Sequence, residues 1–262
     1  MIIPLIFQSR SIFYQLWLRE IKNRYLGSIS GYLWVLFQPI AQLALYALVF
    51  ATIFKVRFPE LAQHSFVEFV AIALWPWLAF QEGIQRALGA ITNHAHVLKK
   101  VALAPELLIY STVGGSYAVH GTGFLFILAI LTIFGAHIHL LMLPWVLLLL
   151  GLWLLFTLGL AFILAALQVF FRDMEHILAS VLMLLFYASP ILYPISLVPE
   201  PFHTLLLLNP LSYFFDHLRE LLLFGEMSFS VIDGVAVLLS AALFAVGLWF
   251  FRRCAHQFEA FL

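Results

Sequence analysis

Glu82 and Arg86 stand four residues apart in an otherwise apolar stretch, a spacing that sets both on one helical face where they can pair. Inside a membrane such a pair either lines a polar pathway or neutralises itself within a helix bundle, and the spacing is compatible with both. His120, alone in a second apolar stretch, reads as a hydrogen-bonded interior residue rather than a proton relay. His94/His96 and His137/His139 are two apart, which on a helix points them away from each other, so they read as loop or interface histidines and no metal site is expected. Arg172, Asp173, Glu175 and His176 form a compact charged turn, and Lys99 with Lys100 forms a second charged point. Topological anchoring explains the lysines. It explains Asp173 and Glu175 poorly, because acidic residues contribute little to orientation, so that turn reads as a contact with a partner.

Several chemistries have no residues to stand on. There is no GxxxxGK(S/T) phosphate loop, so ATP hydrolysis by this chain is not expected. HExxH and GxSxG are absent as well, which leaves intramembrane hydrolysis without zinc ligands or a nucleophile. No catalytic residue, bound cofactor or metal is expected.

The elements that carry these residues are set by lipid. Between Glu106 and Arg172 there are 65 residues without one Asp, Glu, Lys or Arg. At about 1.5 Å per residue, roughly 20 apolar residues cross a hydrocarbon core of about 30 Å, so this run crosses and returns, with a break at Gly135, His137, His139 and Pro144. With 64% hydrophobic and 10% charged residues, a soluble fold would expose more apolar surface than water tolerates. The balance of 13 basic and 13 acidic residues excludes a strongly basic nucleic-acid binder. Cys254 is the lone cysteine and has no intrachain partner for a disulfide. A cleavable signal peptide is not expected, since the first basic cluster runs into an amphipathic stretch. Aromatic belts and lipid-facing packing absorb most of the 27 Phe and 7 Trp.

The chain therefore reads as an all-α integral membrane protein of six transmembrane helices. Residues 1–30 form a cytoplasmic amphipathic interface region, with Gln15, Arg19 and Lys22 on one face of a helix at 8–27 and Trp17, Leu18 and Ile21 broadly opposite. A single transmembrane domain follows at 31–254, with spans at about 31–54, 67–91, 107–134, 143–168, 177–194 and 234–251, and 255–262 is a cytoplasmic tail. Residues 195–233 hold apolar runs too short to cross, broken by Pro199, Pro201 and Asn209-Pro210, and read as two short re-entrant or periplasmic helices. Such backbone is tolerated at membrane depth only against protein or a watery cavity, so this segment is expected to line something. Six spans gather Arg10, Arg19, Lys22, Arg24, Arg86, Lys99, Lys100, Arg172, Arg252 and Arg253 on one side against Lys55, Arg57 and Arg219, which makes both termini cytoplasmic; seven spans would put Arg252 and Arg253 outside. No internal repeat of the secondary-transporter kind is seen.

Six stretches then carry a resemblance. LREIKNRYLGSISGYLWVLFQP (18–39), ALWPWLAFQEGIQRA (73–87), HVLKKVALAPELL (96–108), FFRDMEHIL (170–178), YASPILYPISLVPEPF (187–202) and NPLSYFFDHLREL (209–221) resemble, in order, the membrane subunit of type-2 ABC exporters for polysaccharides, the O-antigen, capsule and teichoic-acid permeases. The first stretch is the most specific. The chain departs from the pattern in placing Val101-Ala102-Leu103-Ala104 between the two lysines and Pro105.

The resemblance implies a homodimer of six-span subunits around a channel in a bacterial inner membrane, driven by two copies of a separate cytoplasmic ATPase that holds the ATP and magnesium. It implies that His96, Lys99, Lys100, Pro105, Glu106, Arg172 and Asp173 couple to that ATPase, that the interface helix with Arg19, Lys22 and Arg24 transmits its motion, and that Asn209 and Pro210 belong to a periplasmic gate. The cargo implied is a lipid-linked polysaccharide, O-antigen first. Each sugar hydroxyl is costly to desolvate, so a polymer needs a polar or aromatic conduit, for which Tyr32, Trp34, Tyr46, Trp75 and Trp77 are candidates beside Glu82 and Arg86. Three alternatives stay open: an exporter of a drug or small lipid, an intramembrane transferase on a lipid-linked sugar with His120 or Glu82 as base, and an ion-coupled carrier.

Overall fold

The computed structural model describes residues 10–23, 33–55, 64–100 and 103–261. Among the described residues every regular element is helical, as hydrocarbon demands of a chain whose backbone groups must be satisfied within it. α1 (Arg10–Asn23) precedes α2 (Leu33–Tyr46), which widens into a π-helical stretch, Ala47–Ile53. α3 (Phe66–Leu88) is followed by two short helices, α4 (Ala90–Asn93) and α5 (Ala95–Lys100). α6 (Glu106–Ile133) and α7 (Leu143–Phe170) share the charge-free run, and α8 (Met174–Tyr187) follows the charged turn. α9 (Glu200–Leu208) and α10 (Pro210–Arg219) occupy the proline-broken segment. α11 (Val231–Ala255) and α12 (Phe258–Phe261) end the described chain.

Five of these helical stretches are long and apolar enough to cross a membrane, by length and composition: Trp34–Ile53, Phe66–Leu88, Glu106–Ile133, Leu140–Phe170 and Val231–Ala255. The fifth expected span, 177–194, takes a different form. Its helix α8 has 14 residues, about 21 Å at the usual rise. The chain then continues as irregular backbone through Ser189, Ile191 and Leu192, all buried. That backbone is satisfied by side chains from elsewhere. The Asn209 Nδ2 donates to the Ala188 carbonyl at 3.2 Å and to the Ser189 Oγ at 2.9 Å, and the Arg219 Nη2 donates to the Ile191 carbonyl at 3.0 Å.

α9 and α10 fold back as a re-entrant pair. Asn209 joins them and caps α10, its Oδ1 accepting from the Leu211 N–H at 3.0 Å, with Pro210 at the first helical position. Phe214 stacks on Trp153 at 5.0 Å and 10°, deep along α7, whereas the His139 N–H donates to the Leu222 carbonyl beyond the end of α6. The chain thus runs from beside the middle of α7 at Phe214 to the connection between α6 and α7 at Leu222. Gly225 closes the return with φ +66°, in the region where a side chain is disfavoured.

Two clusters hold the bundle together. One is aromatic, built from Trp75, Trp77, Phe80, Trp153, Phe214 and Phe215, all essentially inaccessible. The other uses small residues, Ala161, Ala165 and Ala166 of α7 beside Phe162 of the same helix, with Ile91, Phe251 and Phe258. There the α7 and α11 backbones touch: a Cβ on Gly159 would lie 2.7 Å from the Leu243 carbonyl, and one on Gly247 would collide with the Gly159 carbonyl. In lipid, where helices gain nothing by hiding from water, such close packing is what drives association.

Candidate functional site

A polar network joins α1, α3 and α6. On α3, Arg86 turns chiefly to Glu20 of α1, to which both Nε (2.8 Å) and Nη2 donate, and its Nε stays 3.8 Å from Glu82. Glu82 in turn meets His120 of α6, with 2.5 Å between Oε2 and Nε2. Gly115 of α6 makes room for Glu20 of α1, since a Cβ there would lie 3.0 Å from Glu20 Cγ. Two carboxylates, one guanidinium and one imidazole thereby compensate each other across three elements. The Arg86 and Glu82 side chains stay about a third exposed, so the network is partly solvated and its pairing is screened.

The network forms one wall of a cleft of about 310 Å³ between α2 and α3. Gln38 and Gln42 of α2 face Gln81 and Gln85 of α3 across it, and Trp34 and Leu78 add apolar surface. The Gln42 amide also donates to the Tyr46 hydroxyl at 2.9 Å. Each primary amide offers two donors and one acceptor without a net charge, a combination suited to hydroxyl-bearing ligands that must bind and leave. Among the described residues, no three of His, Cys, Asp and Glu are grouped as metal ligands.

The other residues singled out from the sequence are distributed as follows. Trp34 is 52% exposed and meets Phe37 edge-on, while Tyr46 stacks on Phe186 at 5.9 Å. Trp75 and Trp77 are 0% and 1% exposed, inside the packed core of the subunit and away from its surface. A Cβ on Gly123 would lie 2.7 Å from the Trp75 indole nitrogen, and Trp77 packs on Phe80 and Phe186. His96 and Lys99 are exposed on α5, and Arg172 and Asp173 are exposed between α7 and α8. Pro105 precedes α6, and Glu106 on its first turn accepts from the Arg252 Nε of α11 at 2.9 Å, which ties the starts and ends of two crossings together. Arg19 is exposed and Lys22 lies in the last turn of α1, while Arg24, Tyr32 and the Lys100 side chain lie outside the described residues. Asn209 and Pro210 sit at the α9–α10 junction.

Sequence reasoning did not single out Glu20 or the four glutamines. Glu20 is 66 positions from Arg86, beyond any helical spacing rule. The glutamines had a usable signal: amides at 38, 42, 81 and 85 in apolar stretches, each pair four apart and so on one face.

An apolar helical bundle with a re-entrant pair and an amide-lined cleft beside a short N-terminal helix defines a multispanning membrane protein of the transporter kind. Residues 11–223 match the family described as ABC-2 type transporter, and the chain belongs to that family. It is similar to the O-antigen export system permease protein RfbA of Klebsiella pneumoniae, 28% identical over 248 residues that cover 93% of this chain and 92% of the relative. It is 32% identical to the RfbA protein of the same description from Myxococcus xanthus over 214 residues, 79% and 78% of the two chains. The polysialic acid transport protein KpsM of Escherichia coli is 24% identical over 242 residues, 90% and 91% of the two.

Proposed function

We propose that this chain is the permease of an ATP-driven exporter that moves a lipid-linked polysaccharide, O-antigen in the first instance, out of the cytoplasm across a bacterial inner membrane. The observation that carries the reading is the row of side-chain amides, Gln38, Gln42, Gln81 and Gln85, on a chain that is otherwise so apolar. Sugars present hydroxyls at every step, and neutral amides exchange hydrogen bonds with them without holding any one strongly. The cargo class is that named for relatives covering most of the chain.

Two copies enclose the passage, with α2 facing across it. Much of α2 and of the π-helical stretch after it is uncovered within one subunit, with Trp34, Phe37, Leu45 and Leu48 all exposed. Energy arrives from two copies of a separate cytoplasmic ATPase, which hold the ATP and magnesium; the permease itself makes and breaks no covalent bond. His96, Lys99, Lys100, Pro105, Arg172 and Asp173 form the docking end, with Glu106 held by Arg252. α1, with Arg19, Lys22 and Arg24, transmits the tilt through the Glu20–Arg86 contact, and the re-entrant pair at Asn209-Pro210 gates the far mouth. Both termini are cytoplasmic. Residues 1–30 act as the interface region, 31–254 as the transporting domain and 255–262 as the tail.

Deletion of the gene in its own host tests this. Polysaccharide should vanish from the cell surface and accumulate in the cytoplasm on its lipid carrier, returning to the surface on re-expression. Normal surface polysaccharide after deletion would overturn the proposal.

A further inference from the structure

A second cavity, of about 470 Å³, lies between the first turns of α7 and α11, the end of α10 and the loop at 225–230. It is separate from the amide-lined cleft and shares no lining residue with it. Its two ends differ in chemistry. Leu148, Leu152, Leu155 and Val237 line the part that runs along the crossings, a surface that only hydrocarbon can fill favourably. At the other end stand two carboxylates, Glu220 and Glu226, and two aromatic rings, Trp145 and Phe229, which meet edge-on at 5.8 Å and 75°.

The backbone brings the two residues together, because the Glu226 N–H donates to the Glu220 main-chain carbonyl at 3.1 Å. Asp233 also borders the cavity, but its oxygens are engaged by the Tyr213 hydroxyl at 2.6 Å, by His217 at 3.1 Å and by the Ser230 N–H. It therefore acts as a fixed wall. No lysine or arginine is among the described residues that line the cavity, and the one histidine among them, His217, lies 3.1 Å from Asp233 and 3.9 Å from Glu220, nearer the wall than the mouth carboxylate. The mouth is thus acidic and aromatic together, and both features attract an ammonium group while repelling an anion.

We propose that this cavity binds a phospholipid whose headgroup ends in a primary ammonium, as ethanolamine lipids do. One acyl chain lies along Leu148, Leu152 and Leu155, and the ammonium sits between Glu220 and Glu226 beside the Trp145–Phe229 pair. The bound lipid wedges α10 against α7 and α11, so it stabilises the re-entrant pair in the arrangement described. The inference requires the chain to sit in a bilayer and does not depend on which polymer is exported.

The test uses the full-length protein, delipidated in detergent and titrated with phosphatidylethanolamine or phosphatidylglycerol of identical chains, with bound lipid counted by native mass spectrometry. The ethanolamine lipid should be retained about tenfold more tightly than the glycerol lipid. The double variant E220Q/E226Q should abolish that preference, and F229L, at a largely exposed position, should weaken it about threefold without altering the charges. L152W, which fills the apolar end, should reduce retention of both lipids. Equal retention of the two lipids by the unmodified protein, or an unchanged preference in F229L and E220Q/E226Q that elute as monodisperse species, would overturn the proposal.

Discussion

Two of the arginines on the described helices, Arg86 and Arg219, are held mainly by different kinds of partner. Arg219 is 4% exposed, lies 3.5 Å from the centroid of the Phe69 ring, and donates to the backbone carbonyls of Phe69 and Ile191, with the Asp216 carboxylate of its own helix farther off at 3.7 Å. Arg86 is less covered and turns to a carboxylate on α1, with a second carboxylate behind it. Backbone carbonyls move only when the fold moves. A side-chain carboxylate on a short surface helix can be taken away and returned. An ionisable residue at membrane depth is therefore no functional marker by itself, and the partner decides: Arg219 supports irregular backbone, whereas Arg86 joins α3 to α1.

The contrast breaks most visibly at Arg219. Replacing it with Met removes its hydrogen bonds to the Phe69 and Ile191 carbonyls and the cation beside Asp216, at a cost of about 2–5 kcal/mol. We expect the melting temperature in detergent to fall by about 10 °C, with little protein recovered from membranes. A near-normal melt would mean that Arg219 is as dispensable to the fold as a surface residue. Next comes close packing: Gly247→Leu forces α11 off the Gly159 carbonyl, and overpacking of this kind costs about 1–3 kcal/mol. A smaller melting shift than in R219M, read in the same assay, is the expected result.

Arg86 should behave in the opposite way. R86Q should change stability by about 1 kcal/mol or less, since the pair is partly solvated, yet lower surface polysaccharide about tenfold, a size typical of coupling between sites. The single reversals E20R and R86E should each lose export, and the double reversal should regain part of it. Export unchanged in all three would reduce the Glu20 contact to a bystander. The mildest change is expected in the cleft: Q81L should leave the melt unaltered and slow export about threefold, the value of one lost hydrogen bond, read as the rate at which new polymer reaches the surface.

Much of this architecture is legible along the chain because the membrane writes it in one dimension. The charge-free stretch from 107 to 171 announces two crossings, observed as α6 and α7, and the prolines at 199, 201 and 210 announce short helices, observed as α9 and α10. The α8 crossing was not legible as it stands. Its apolar run continues past Tyr187, and only the remote Asn209 and Arg219 side chains make irregular backbone tolerable there. Trp75 and Trp77 show a second limit, since in lipid the buried and exposed faces of a helix are equally apolar and hydropathy does not separate core from conduit. The Glu82–Arg86 spacing suggests a pair, yet the nearer partner of Arg86 is Glu20, which no local pattern links to it.

In the proposed function, export by this permease draws its energy from another protein. Reconstitution into proteoliposomes tests this directly, with lipid-linked polysaccharide on the outer leaflet and ATP outside, and with lumenal polymer as the readout. Polymer should enter only when this chain, a partner ATPase with its own phosphate loop and hydrolysable ATP are all present. Entry with this chain alone, or none with the complete set while ATP is consumed, would contradict it.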